Sequence, residues 1–258
     1  MGFQRMTNPN HFRDVCIVGN IASGKSTLTR LLAQTIPDSA AVLEDFDQNP
    51  FLEWNFQNPP RWAFTNAVRY FYDYLRVWRA QTADSHYAHY FIDAGAATNR
   101  YVYGEHMRGE GIVTAAEFDF YKILCDVIER AFAYTPPDAY IFVETTPELC
   151  FERMTARARS ETWAYQQPIS LAYLRGLAKY FQMFRDALRA QAVPLLLVSN
   201  NQFTRPRQTS RRHSNRPNLF ESFRSVSVSR AQKKRMVCAQ TIRFSKSVVQ
   251  GAANARTR

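Results

Sequence analysis

Residues Gly19-Asn20-Ile21-Ala22-Ser23-Gly24-Lys25-Ser26 satisfy the pattern G-x-x-x-x-G-K-[ST], and their flanks constrain the chain more than any other stretch. An apolar run, Asp14 to Val18, precedes the motif, and Leu28, Leu31, Leu32 and Ile36 follow it at helical spacing. The reading is strand, loop, helix. Glycines let such a loop wrap so that its N–H groups and the helix N-terminus face phosphate oxygens. Lys25 is placed to neutralise β- and γ-oxygens, and the Ser26 hydroxyl to ligate Mg²⁺. Gly19 through Thr27 are therefore the expected triphosphate cradle. The motif alone does not choose between a kinase, a GTPase and an ATPase.

Further β-rich runs alternate with long helical patterns. Ala40 to Leu43 ends at Glu44, His89 to Ile92 ends at Asp93, Tyr140 to Val143 ends at Glu144, and Val193 to Val198 closes the series. This alternation predicts an α/β fold with a parallel sheet covered by helices. Ligands in such sheets sit beyond the carboxyl ends of the strands, where Glu44 and Asp93 fall. Between them, Pro60 to Ala83 is rich in aromatics and lacks any later Gly or Pro, which predicts one long helix. Its rings are read as core packing or a dimer face.

The formal charge of +11 divides sharply along the chain. Residues 1–200 carry 19 Lys/Arg against 21 Asp/Glu, whereas residues 201–258 carry 14 against the single acid Glu221. The basic character thus belongs to a stretch without periodicity, expected to be disordered. Its four aromatics, Phe203, Phe220, Phe223 and Phe244, are too sparse for a stacking platform, so nucleic-acid binding is the least favoured reading of it. The expected organisation is an extension over 1–13, a folded domain over 14–200 and a basic tail over 201–258. Cys16, Cys125, Cys150 and Cys238 form no CxxC pair, which fits reduced thiols rather than zinc or disulfides. No 18-residue apolar run and no apolar leader occurs, and the expectation is a cytoplasmic protein without membrane contact.

Several segments resemble the deoxynucleoside kinase family. Asn20 and Ile21 inside the loop, Glu44 after the next strand and Asn49-Pro50-Phe51-Leu52 match that family's GNIGxGKST, Glu and NPFL in order and spacing. Asn99 to Met107, Pro147-Glu148, Glu152-Arg153, Arg157-Ala-Arg159-Ser-Glu161 and Pro168 to Leu174 resemble its later segments. The resemblance implies a three-layer P-loop kinase fold with a helical lid. It also implies a homodimer formed through helices, and transfer of the γ-phosphate of ATP, with Mg²⁺, to a nucleoside 5′-hydroxyl. Arg153 and Arg157 lie one helical turn apart with Arg159 just beyond, a set suited to charge spreading over equatorial phosphate oxygens. Glu44 occupies the place of the family's general base, and Asp93 that of the acid in its Glu/Asp-Arg-Ser triplet.

The acceptor side departs from the pattern. The triplet here is Asp93-Ala94-Gly95, so the family's Arg is absent at Ala94. The family's base-reading Gln aligns with Ala67, its sugar-contacting Tyr with Phe56, and its lid Glu with Thr162. Each lost contact can cost roughly 1–3 kcal/mol. Two readings follow. Either other residues hold the acceptor, with Asn66, Arg69, Asn99, Arg100 and the base-stacking Tyr103 as candidates, or the protein is a catalytically impaired binding or assembly subunit, like the kinase-like accessory subunit of respiratory complex I.

Overall fold

The computed structural model describes residues 12–44, 49–83, 87–158 and 169–201. Five strands, β1 (Asp14–Val18), β2 (Ser39–Val42), β3 (His89–Asp93), β4 (Ala139–Glu144) and β5 (Leu195–Ser199), form one parallel sheet in the order β2-β3-β1-β4-β5. The helices are α1 (Lys25–Thr35), α2 (Leu52–Gln57), α3 (Pro59–Thr82), α4 (Gly95–Thr98), α5 (Glu105–Gly109), α6 (Ala115–Ala131), α7 (Pro147–Ala158) and α8 (Leu171–Ala190), with a π-helical segment, Asn99–Gly104, between α4 and α5.

Strand alternation sends successive side chains of β1 to opposite layers. Val15 and Ile17 pack with Leu28 and Leu32 of α1. Cys16 and Val18 pack on the other side with Leu177, Phe181, Phe184 and Leu188 of α8. The α8 residues repeat at intervals of three and four, so they form one apolar stripe along the helix. A second core on that side joins Val42, Tyr90 and Ile92 to Phe71, Leu75 and Trp78 of α3 and to Phe118, Tyr121 and Cys125 of α6. The result is helix, sheet, helix, as the alternation of strand and helix patterns predicted. Burial of each large apolar side chain stabilises this arrangement by about 1.5–3 kcal/mol.

Local chemistry sets the element ends. Pro59 and Pro60 open α3, where the first helical positions need no N–H partner. Thr114 caps α6 reciprocally: its hydroxyl accepts from the Glu117 N–H (3.2 Å), and the Glu117 carboxylate accepts from the Thr114 N–H (2.7 Å). No described helix is long and apolar enough to cross a membrane.

Candidate active site

Parallel strands place all their carboxyl ends at one edge of the sheet. Ile17 lies abreast of Asp93, and Val42 abreast of Ile92. The loop beginning at Gly19, the carboxyl of Asp93 and Glu44 just past β2 are therefore brought to the same edge by pairing alone.

The loop is tightly built. A Cβ on Gly19 would come within 2.6 Å of the Val143 carbonyl oxygen, so only glycine lets the chain pass there. Gly24 has φ 104°, a left-handed conformation that glycine adopts freely, and it caps α1. Ala22 holds φ 60° where the resembled motif has glycine, a strain of about 1–2 kcal/mol. Asn20 anchors the loop: its side chain donates to the Leu174 carbonyl of α8 (2.8 Å) and accepts from the Ile21 N–H (2.8 Å). The Lys25 ammonium donates to the Asn20 carbonyl (3.0 Å), which holds it across the loop. Ser26 is half-buried and Thr27 exposed on the first turn of α1.

Glu44 is half-buried, and burial holds its carboxyl well above the usual carboxylate range; the charge of Asp93 pushes it further up, while Lys25 opposes both. Asp93 is buried, and its Oδ1 has no hydrogen-bond partner within the protein. An unpartnered buried carboxylate oxygen beside a phosphate loop fits a hard cation held through oxygen, and Ser26 supplies a second oxygen of the same kind. Among the described residues no cluster of three His, Cys, Asp or Glu could hold a metal by itself, so these two residues would hold it together with phosphate oxygens. The same edge raises the Cys16 thiol well above its ordinary value, through burial first and then Asp93 and Glu44.

The residue after Asp93 marks the departure from the family pattern. Ala94 has φ 65° and ψ −52°, and its carbonyl accepts from the Cys16 thiol (3.3 Å) and the Thr98 hydroxyl. A would-be Cβ on Gly95 lies 2.5 Å from the Cys16 sulfur, so the turn out of β3 is packed against β1.

The acceptor candidates separate. Tyr103 packs in the α8-side core, edge to face with Phe181, and its phenol is raised by burial and by the neighbouring charges of Tyr173, Glu44, Tyr70 and Asp93. Ile21 of the loop packs against the same core. Asn99 is buried with its Nδ2 unpartnered, whereas Asn66 accepts from Asn49 Nδ2 (2.9 Å) and ties the Asn49-Pro50-Phe51-Leu52 segment to α3. Phe56 packs against Ala22, Met154 and Leu174, and Ala67 is in the α3 core. Two arginines are held in ion pairs. Arg100 pairs with Asp126 (2.6 Å) and Glu129 (3.3 Å) of α6, and Arg69 pairs with Asp73 and lines a groove between α3 and α6.

Arg153 lies against the loop. Its guanidinium donates to the Ser23 carbonyl (3.3 Å) and to the Asn200 carbonyl (2.8 Å). Arg157 is exposed one turn further along α7. Arg159, Thr162 and the rest of the expected lid lie outside the described residues, as do residues 1–11 of the expected 1–13 extension and residues 202–258. Cys16, Cys125 and Cys150 are buried free thiols.

Residues 15–217 match the deoxynucleoside kinase family, a span that continues past residue 200. The chain is 29% identical over 226 residues to deoxycytidine kinase 2 of Gallus gallus, covering 74% of this chain and 83% of that one. It is 26% identical over 204 residues to the deoxycytidine kinase of Homo sapiens, covering 68% and 76%. It is 27% identical over 177 residues to the thymidine kinase of Ictalurid herpesvirus 1, covering 65% and 72%. With a glycine-rich loop, Glu44 and the buried acid Asp93 gathered at one sheet edge, and with residues 15–217 matching the family, the chain belongs to the deoxynucleoside kinases and is a nucleoside kinase that draws on a nucleoside triphosphate.

Proposed function

We propose that the protein transfers the γ-phosphate of ATP to the 5′-hydroxyl of a nucleoside or deoxynucleoside. The observation that carries this reading is Glu44: burial and Asp93 raise its proton affinity at the edge where Lys25 and the phosphate loop lie. In this role Glu44 accepts the hydroxyl proton as the oxygen attacks the γ-phosphorus, and the bond from that phosphorus to the bridging oxygen breaks to release ADP. Lys25 leaves the Asn20 carbonyl for the phosphate oxygens. Arg157 and Arg159 neutralise charge from the lid side. Ser26 and Asp93 would hold Mg²⁺, which would supply neutralisation of phosphate charge. Tyr103 offers an aromatic face to the base, and Asn99 an unpartnered donor close by.

The relatives named as deoxycytidine and thymidine kinases support a pyrimidine deoxynucleoside as first acceptor to assay. No observation favours the assembly-subunit alternative. We also infer a homodimer, supported by Phe120, Ile123 and Val127, which share one face of α6 and are 51%, 56% and 49% exposed.

The test is incubation with labelled ATP and a panel of deoxynucleosides and ribonucleosides, alongside Lys25→Ala and Glu44→Gln. The expected outcome is a phosphorylated nucleoside from the wild type and a loss of 10²-fold or more, as an order of magnitude, in each variant. Equal product from wild type and variants overturns the reading.

A further inference from the structure

Three side-chain donors from separate elements converge on one carbonyl of the phosphate loop, that of Ser23. Thr145, in the connection after β4, donates its hydroxyl (3.2 Å); Arg153, on α7, donates Nη1 (3.3 Å); Asn200, just beyond β5, donates Nδ2 (2.7 Å). The Asn200 bond is the shortest of the three. Asn200 is itself held: its N–H donates to the Glu144 carbonyl (2.8 Å), and its carbonyl accepts from Arg153 Nη2 (2.8 Å). Arg153 thus reaches both the loop and the residue that clamps it. Next door, Thr146 N–H donates to Asn201 Oδ1 (2.9 Å), so the end of β5 is stapled to the β4–α7 connection twice.

The contact is close-fitting on the loop side as well. Ser23 is fully buried, and a Cβ placed on Gly24 would sit 2.6 Å from Asn200 Nδ2. Gly24 therefore leaves the space that the amide of Asn200 fills. Ser23 and Gly24 are joined by a trans peptide, as every described residue is. In a trans peptide the carbonyl and the N–H point in opposite directions. Fixing the Ser23 carbonyl against β4, β5 and α7 consequently fixes the Gly24 N–H on the other side, ahead of the first turn of α1, where loop N–H groups meet phosphate.

We infer that Asn200 is a positioning residue for the triphosphate. It acts on the reaction through the Ser23–Gly24 peptide and makes no contact with the reacting atoms. This rests on the reading that the cradle takes the donor's phosphates, and it extends that reading to a residue 177 positions away in sequence from the carbonyl it holds. Preorganised loop dipoles bind phosphate without reorganising, so a loosened peptide weakens donor binding selectively. Arg153 is then shared between the clamp and α7, which joins the loop to the helix that leads into the lid.

Asn200→Asp keeps the shape and removes the donor; Asn200→Leu removes all polarity. Each is assayed in the full-length protein for the KM of ATP, the KM of the nucleoside, thermal melting, and deuterium uptake of the loop in the ligand-free state. Losing one such hydrogen bond is expected to raise the KM for ATP by about ten-fold in both variants. The nucleoside KM and the melting temperature stay near wild type, and loop amides exchange faster. Wild-type KM for ATP with wild-type exchange in Asn200→Asp overturns the inference. So does a joint rise of both KM values with a lowered melting temperature, which marks a purely structural residue. Were the wild type to show no ATP dependence, the cradle reading would fail, while the exchange comparison would still decide whether Asn200 orders the loop.

Discussion

Glu44 is subject to opposed demands that pH can separate. Burial and Asp93 raise its folded-state pKa, so between the ordinary carboxylate value and the raised one the folded state binds more protons than the unfolded state. Stability contributed by the protonated form is complete below the ordinary value and is lost as pH rises through the raised one. Activity runs the other way, because only the ionised form accepts a proton. We expect kcat/KM to climb with pH above the usual carboxylate range and then level, and the climb to vanish in Glu44→Gln. The same substitution removes the cost of a buried charge, so its melting temperature relative to wild type should be higher at pH 8 than at pH 5. A constant difference between those pH values, by calorimetry, would show that Glu44 keeps an ordinary pKa. At this scale the sequence was informative where a residue is tied to its neighbours by the loop motif, as with Gly24 and Lys25. It was uninformative where a side chain answers to distant charge. Nothing near Arg100 in sequence announces Asp126 and Glu129, which lie on another helix and engage its guanidinium. Asn200 likewise gave no local signal, since its partner is a backbone carbonyl far upstream.

At the level of elements, period and punctuation were enough for existence and type. The apolar runs at 14–18, 40–43, 89–92, 140–143 and 193–198 each coincide within a residue or two with β1 to β5, and Pro60 to Ala83 with α3. Strand order was not legible, because five similar apolar runs carry no pairing label. The π-helical turn at Asn99–Gly104 was not legible either; its wider turn carries Asn99, Val102 and Gly104 into the interior while Tyr101 stays outside. Thr114 offers a clean test of local coding. Its capping box satisfies two helix-end donors at the start of α6, so Thr114→Ala should lower stability by about 1 kcal/mol, read by urea denaturation. Thr114→Ser, which preserves the hydroxyl, should recover most of it. An unchanged midpoint for Thr114→Ala would mean that packing of α6 on α3 alone sets the helix end. Leu177, fully buried on the α8 stripe, belongs to the other class: Leu177→Ala should cost about 2–5 kcal/mol in the same assay.

For the molecule as a whole, most of the net basic charge lies beyond the family match. Residues 1–200 are close to neutral, and the family match ends at residue 217, before most of the basic stretch over 201–258. A chain ending at residue 217 should retain nucleoside phosphorylation within about two-fold of the full chain, since the strands and the phosphate loop lie upstream of it. The homodimer proposed above is tested at the exposed α6 face. Ile123→Glu with Val127→Glu should shift a dimer to a monomer by light scattering while leaving secondary structure intact, because a carboxylate buried in an apolar interface is costly. An unchanged mass would place the dimer contact elsewhere. Among the described residues a groove between α3 and α6, lined by Phe51, Phe64, Val68, Tyr72 and Ile128, adjoins this face.

The clamp on Ser23 also sets an order of events during synthesis. The phosphate loop leaves the ribosome well ahead of one of the donors that hold it, which comes from residue 200. The strands β1, β3 and β4 can pair before then, but the loop stays untied on one side until β5 docks at the edge of the sheet. The last part of the phosphate affinity is therefore acquired when β5 docks, and a nascent chain lacking β5 should capture nucleotide more weakly than the finished chain.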